Sequence, residues 1–397
     1  MDFVSLLPVI PVIILVLVAI YFVDRVIGIS PPSGRYSAID GIRGYLAFFV
    51  FLHHSVIWYF FLHSGQWAFP PSRVYSHFGP GSVALFFMIT SFLFFSKLLS
   101  VKDRHMDWLK LYVSRILRIV PLYVFAMLLL FLAVACISNW ALNEPFLNVV
   151  LECIGWLAFT EPDINGIGNT RLIVAAVVWS LAFEWMFYFS LPFWGLLLFK
   201  IKASFNVILF AGILLLIFIW IIAQFYPINA LGRISPFLGG IAAAFAARNE
   251  RIKKLAAGKL VSVLIIALMV VAVVYFPNIY SPIPFLCFAL AFIGIACGNT
   301  LFGVLSHKAS RLFGQISYSI YMLHGLLLFV TFRFILGFQF VGAQTPFGYW
   351  VILACCGVVL VIVCSFTFYF IERPCINIAG RVTNKIKSYL PVEEAIE

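Results

Sequence analysis

The chain has 397 residues, of which 64% are hydrophobic, 18% aromatic and only 10% charged. Soluble domains run at roughly 45–50% apolar and about 25% charged, so too few polar side chains exist here to cover a water-exposed surface. Soluble enzymes, disordered tails and disulfide-stapled secreted modules are excluded, and the formal charge of +11 lies in short loops between apolar runs, where it sets topology instead of binding nucleic acid.

A membrane-spanning helix needs about 20 mostly apolar residues. Windows of that kind predict eleven spans: 3–23, 44–62, 80–98, 119–138, 173–199, 204–222, 228–247, 260–276, 285–304, 315–333 and 348–371. The expected fold class is therefore all-α, a polytopic transmembrane bundle. The first span has neither a basic leader nor an A-x-A-like cleavage site, so it reads as a retained helix. With the N-terminus outside and the C-terminus inside, 22 of the 26 Lys and Arg residues fall on the cytoplasmic side. Arg35, Lys102 and Arg104 are among them. Only Arg73, Arg171, Arg233 and Arg333 fall opposite, the asymmetry expected of a positive-inside protein. The apolar segment 147–160 is too short to cross and reads as re-entrant or interfacial. The eight cysteines lie in or beside apolar segments without a CxxC pair, as small buried hydrophobes do, and no metal is expected.

Ionisable groups at mid-membrane cost at least about 2.5–3.5 kcal/mol on insertion scales, which makes them functional candidates. Three segments carry them. In DGIRGYLAFFVFLHHS, residues 40–55, Arg43 opens a helix and His54 follows eleven residues later, about 16 Å deeper. His53 points about 100° away from His54. Asp40 reads either as the N-cap of that helix or as a partner for Arg43. In VVWSLAFEWMFYFSLP, Glu184 is the acid clearly inside a span; it is either one half of a structural ion pair or a functional carboxylate. In GQISYSIYMLHGLLL, Tyr318, Tyr321 and His324 share one helix face, where His324 is either an interhelical hydrogen bonder or catalytic. Nearby, RILRIVPLY sets Arg115 and Arg118 one turn apart, an arrangement suited to phosphate or to topology alone.

Together these segments resemble the acyltransferase-3 family of integral-membrane acyltransferases, which includes bacterial O-acetylases of surface polysaccharides. The resemblance rests on Asp40-Gly41 with Arg43 and His54, GSVALFFMITSFLFF at 81–95, and Arg115-x2-Arg118 before Pro121. It continues in Trp179-Ser180-Leu181-x2-Glu184-Trp185, Ser317-Tyr318-x2-Tyr321-x2-His324 and Glu372-Arg373-Pro374. Family members often read Ser-Gly-Phe where this chain has Thr90-Ser91-Phe92.

The resemblance implies an acyl group, usually acetyl from acetyl-CoA, moving from the cytoplasm to a hydroxyl of an extracytoplasmic or lipid-linked glycan. Arg43, Arg115, Arg118 and Tyr318 would hold the donor. His54, Glu184, His324 and Asp40 would form the catalytic set, with Glu184 orienting or charge-stabilising the His54 imidazole. The implied organisation is an additional N-terminal helix within 1–30, a membrane acyltransferase domain over 36–376 and a cytoplasmic tail over 377–397. A stand-alone enzyme of a bacterial inner membrane is expected. A sugar-lipid flippase or proton-coupled transporter, relaying protons through the midplane His and Glu, is the alternative.

Overall fold

The computed structural model describes residues 2–28, 36–101 and 105–389. Arg35, Lys102, Arg104 and the parts of the terminal segments at 29–30 and 390–397 lie outside the described residues. The architecture is helical, with no strand beyond isolated bridges among the described residues. The first half comprises α1 (Val9–Ile27), α2 (Ser37–Ser64), α3 (Arg73–Leu99), α4 (Trp108–Ile137), α5 (Phe146–Leu157), α6 (Trp179–Phe199), α7 (Phe205–Phe225) and α8 (Ala230–Ala246). The second comprises α9 (Glu250–Ala256), α10 (Lys259–Tyr275), α11 (Pro282–Ala296), α12 (Lys308–Gln315), α13 (Ser317–Val330), α14 (Phe338–Gly342), α15 (Pro346–Thr367) and α16 (Arg373–Tyr389).

Eight helices among the described residues are long and apolar enough to cross a membrane, and the α8–α9 pair, bent by 107°, would make nine. The predicted spans 260–276 and 285–304 are built as α10 and α11, of 17 and 15 residues. At about 1.5 Å per residue neither reaches the roughly 30 Å of a hydrocarbon core. α11 stops early because the chain turns through left-handed Gly298, Leu301 and Phe302. The Asn299 amide fixes that turn by donating to Ala256 O at 2.7 Å. α5 has 12 residues and buries only Trp156.

Other boundaries also differ from the hydropathy windows, and two of them have a clear local reason. α4 starts at Trp108, ahead of the expected 119, because Asp107 caps it by accepting from Lys110 N at 3.0 Å. That extension carries Arg115 and Arg118 on a regular helix. α6 starts at Trp179 instead of 173, because Ala175 and Ala176 adopt left-handed backbone after a short 3₁₀ turn over 170–174.

α2, α3 and α13 form the centre of the bundle, whereas α1 and α7 leave most of their surface outside. α2 is largely apolar, is buried along most of its length and packs on α3, α12 and α13, as expected of a central helix. Glycines permit several close approaches, two of them beside α3. A Cβ on Gly79 of α3 would come within 2.5 Å of the His53 ring, so α3 can lie against α2 only with glycine there. Ser91 stands where the resemblance predicts glycine, and the room comes from the opposite helix: a Cβ on Gly240 of α8 would sit 2.0 Å from Ser91 Oγ. α1 docks through the Lys308–Asp24 ion pair at 2.8 Å, and α16 is tied to the start of α4 by Lys387–Asp107 at 2.7 Å.

Candidate functional site

Among the described residues, two cavities between the central helices hold the candidate groups. The first, of about 340 Å³, is lined by Asp40, Arg43, Thr90, Lys97, Arg115, Arg118, Glu184, Tyr188 and Tyr318, and is the basic cavity. The second, of about 240 Å³, is lined by His53, His54, Trp67, Phe69, Trp179, Arg233 and Tyr280, and is the aromatic cavity. Val83 and Tyr321 line both.

The basic cavity forms where α2 and α4 begin and α3 ends. Arg43 lies in the second turn of α2, and Arg115 and Arg118 lie one turn apart in α4. The guanidinium of Arg115 sits 5.3 Å from the Phe94 ring centroid. The Nε atoms of both Arg43 and Arg115 are buried without a hydrogen-bond partner. Buried donors in native proteins are nearly always satisfied, so two orphaned guanidinium nitrogens in one cavity suit an oxyanion ligand. Forked donors of this kind match phosphate. Tyr318 contributes its ring while its hydroxyl donates to Ile119 O at 2.8 Å.

Glu184 belongs to this cavity. Its Oε1 accepts from Thr90 Oγ1 at 3.0 Å and its Oε2 from Tyr188 OH at 3.4 Å, with Arg43 and Arg115 close enough to act on its charge. The expected pairing of Glu184 with the His54 imidazole is therefore corrected: its carboxylate is committed to Thr90 and Tyr188 among the arginines. Asp40 is corrected as well. It is not an N-cap, because α2 starts at Ser37 and the Asp40 N–H already donates to Tyr36 O at 3.0 Å. Its side chain lines the cavity one turn before Arg43.

The aromatic cavity receives His54, and the partner that orients it is His324. His54 Nδ1 lies 3.0 Å from His324 Nε2, and His324 Nδ1 lies 3.1 Å from Ile320 O. A carbonyl oxygen only accepts, so His324 Nδ1 carries the proton; in the neutral ring Nε2 then accepts. His54 Nδ1 must donate to it, which leaves His54 Nε2 with a free lone pair. The chain Ile320–His324–His54 thus selects the tautomer that a base requires. His53 takes no part in this chain, because its Nδ1 lies 2.6 Å from Tyr75 O. Tyr321, one turn before His324, pairs with Ser180 Oγ at 2.7 Å and donates to Val177 O at 3.1 Å.

The structure thus divides the sequence-predicted residues between the two cavities: Asp40, Arg43, Arg115, Arg118, Glu184 and Tyr318 in one, His54 beside His324 at the other. Thr90 and Tyr188 were not foreseen, since a hydroxyl within an apolar run carries no signal of its partner. Trp67, Phe69, Trp179 and Tyr280 read as ordinary membrane aromatics in sequence. Arg233 had a signal, as one of four basic residues opposite the basic side. A family model described as an acyltransferase domain (acyltransferase-3) matches residues 36–369. No curated protein and no solved structure matches the chain.

Proposed function

The chain belongs to the acyltransferase-3 family, enzymes that transfer acyl groups, and from that premise we propose that it carries a short acyl group, acetyl first, from acyl-CoA to a hydroxyl of a glycan or lipid-linked sugar. The basic cavity takes the donor, its phosphates matched by Arg43, Arg115, Arg118 and Lys97. In this reading the basic cavity faces the cytoplasm of a bacterial inner membrane and the aromatic cavity the outer side, an orientation that the basic-residue asymmetry supports.

In this reading His54 Nε2 removes the proton of the acceptor hydroxyl as its oxygen attacks the thioester carbonyl. The C–S bond then breaks, the C–O ester bond remains, and the imidazolium returns its proton to the departing thiolate, so the products are the ester and free CoA. His324 holds the His54 ring and shares the charge that develops on it, the part a carboxylate plays in hydrolase triads. Tyr321 and Val83, common to both cavities, stand where the thioester arm passes between them.

The observation that carries this reading is the pair of cavities sharing a wall, with orphaned guanidinium nitrogens in one and the lone pair of His54 at the other. Purified protein in nanodiscs, given acetyl-CoA labelled in the acetyl group, should hydrolyse it slowly without acceptor and transfer label to a supplied glycan. Absence of both reactions refutes acetyl-CoA as donor.

A further inference from the structure

Arg233 stands against three physical preferences at once. It lies in the first turn of α8, where the helix dipole disfavours a cation by roughly 0.3–1 kcal/mol. It is one of the four basic residues outside the positive side. It is also half-buried on a cavity wall within a membrane bundle, where ionisable groups mark binding paths. Its guanidinium stacks on the Trp179 ring at 4.5 Å, and no ion pair neutralises it among the described residues. Glu161, an acid beside the start of α6, faces Arg171 and the Val178 and Trp179 amides instead.

The surroundings complete a site. Trp67, Phe69, Trp179 and Tyr280 line the same cavity, so flat apolar faces lie beside one fixed positive fork and the His54 base. Pockets of this composition, mostly aromatic with few placed polar groups, are typical of small-ligand sites. A neutral acceptor filling the cavity would strip water from the half-buried guanidinium without offering it a counterpart, which is costly.

We propose that the aromatic cavity takes an acceptor bearing an oxyanion, a sugar carboxylate or a phosphate, with Arg233 as its anchor and the rings of Trp67 and Trp179 as its stacking planes. The proposal rests on the reading of this cavity as the acceptor site, and it names the acceptor's chemical class. Arg233 thereby sets specificity, and Trp179 holds the fork by the cation–π contact.

Equilibrium dialysis of the full chain in nanodiscs, without acyl-CoA, tests it with labelled methyl β-glucuronide, methyl β-glucoside, glucose 1-phosphate and glucose. The wild type should bind the anionic member of each pair at least tenfold tighter than the neutral one, and the preference should weaken with added salt. Arg233→Gln should bring each pair to within threefold, and Arg233→Lys should retain part of the preference, since a point charge lacks the fork. A larger preference in the glucuronide pair identifies an acidic sugar; a larger one in the phosphate pair identifies a phosphate-linked acceptor. Wild-type affinities within threefold in both pairs overturn the proposal, as does a folded Arg233→Gln protein that keeps the preference. Since no donor is present, failure of acetyl-CoA turnover would refute the donor and leave this result to stand by itself.

Discussion

The two cavities are built from the same helices and differ in almost every chemical respect. α2 supplies Asp40 and Arg43 to one and His53 and His54 to the other; α6 supplies Glu184 to one and Trp179 to the other. One collects guanidinium groups, and the inner nitrogens of Arg43 and Arg115 there have no protein partner. The other collects rings, a single arginine and the imidazoles of His53 and His54. A helix of 28 residues is about 42 Å long, enough to set Arg43 near one end and His54 about 16 Å further along. In the proposed reading, separation of donor binding from chemistry follows from helix length.

The largest test of that division is His54→Ala. Loss of a general base removes roughly 10²–10⁴-fold of rate, so kcat for transfer should fall by that factor while KM for acetyl-CoA stays within about threefold. An active His54→Ala enzyme would pass the role to His53 and break the tautomer argument.

His324→Ala should lower kcat by less than His54→Ala does, because the base remains while its orienting partner is lost. His324→Gln, whose side-chain carbonyl can still accept from His54 Nδ1, should restore part of it. Equal loss in both variants would mean that His324 only fills space.

In the basic cavity, neutralising Arg43, Arg115 or Arg118 should raise KM for acetyl-CoA by roughly 10–100-fold with a smaller change in kcat, because a charged hydrogen bond contributes about 1.5–3 kcal/mol. Glu184→Gln should shift the same constant the other way, by a few fold, since it removes an anion beside Arg43 and Arg115. A fall in kcat instead, matching His54→Ala, would join the two cavities into one catalytic unit.

The smallest effect concerns the loop that closes the aromatic end. Burial pushes the Glu161 carboxyl up to about 7 from its ordinary 4.5, against the opposing pull of Arg171 and the Val178 and Trp179 amides; Tyr123 and Tyr226 also face it. A raised acid binds its proton more tightly in the folded chain. Its ionisation therefore costs nothing below about pH 4.5, and the cost grows as pH rises to become full above about 7. Glu161→Gln should raise Tm at pH 8, by the equivalent of about 1–3 kcal/mol, and leave it unchanged at pH 4.5. A Tm gain that does not depend on pH would assign the effect to packing.

Sequence alone was sufficient for the membrane class and the all-helical fold, because hydrocarbon leaves a helix few alternatives for satisfying its backbone. It also marked His54, His324 and the three arginines, since a titratable group inside an apolar run is costly wherever the chain folds. Tertiary structure alone decided the partners. Nothing in the spacing of residues 54, 184 and 324 says that His54 meets His324 while Glu184 turns to Thr90, because each contact joins helices far apart in the chain. The same holds for the break at Ala175 and Ala176 and for the early end of α11: hydropathy integrates over about 20 residues, whereas a left-handed turn is set by one or two and by what packs on them.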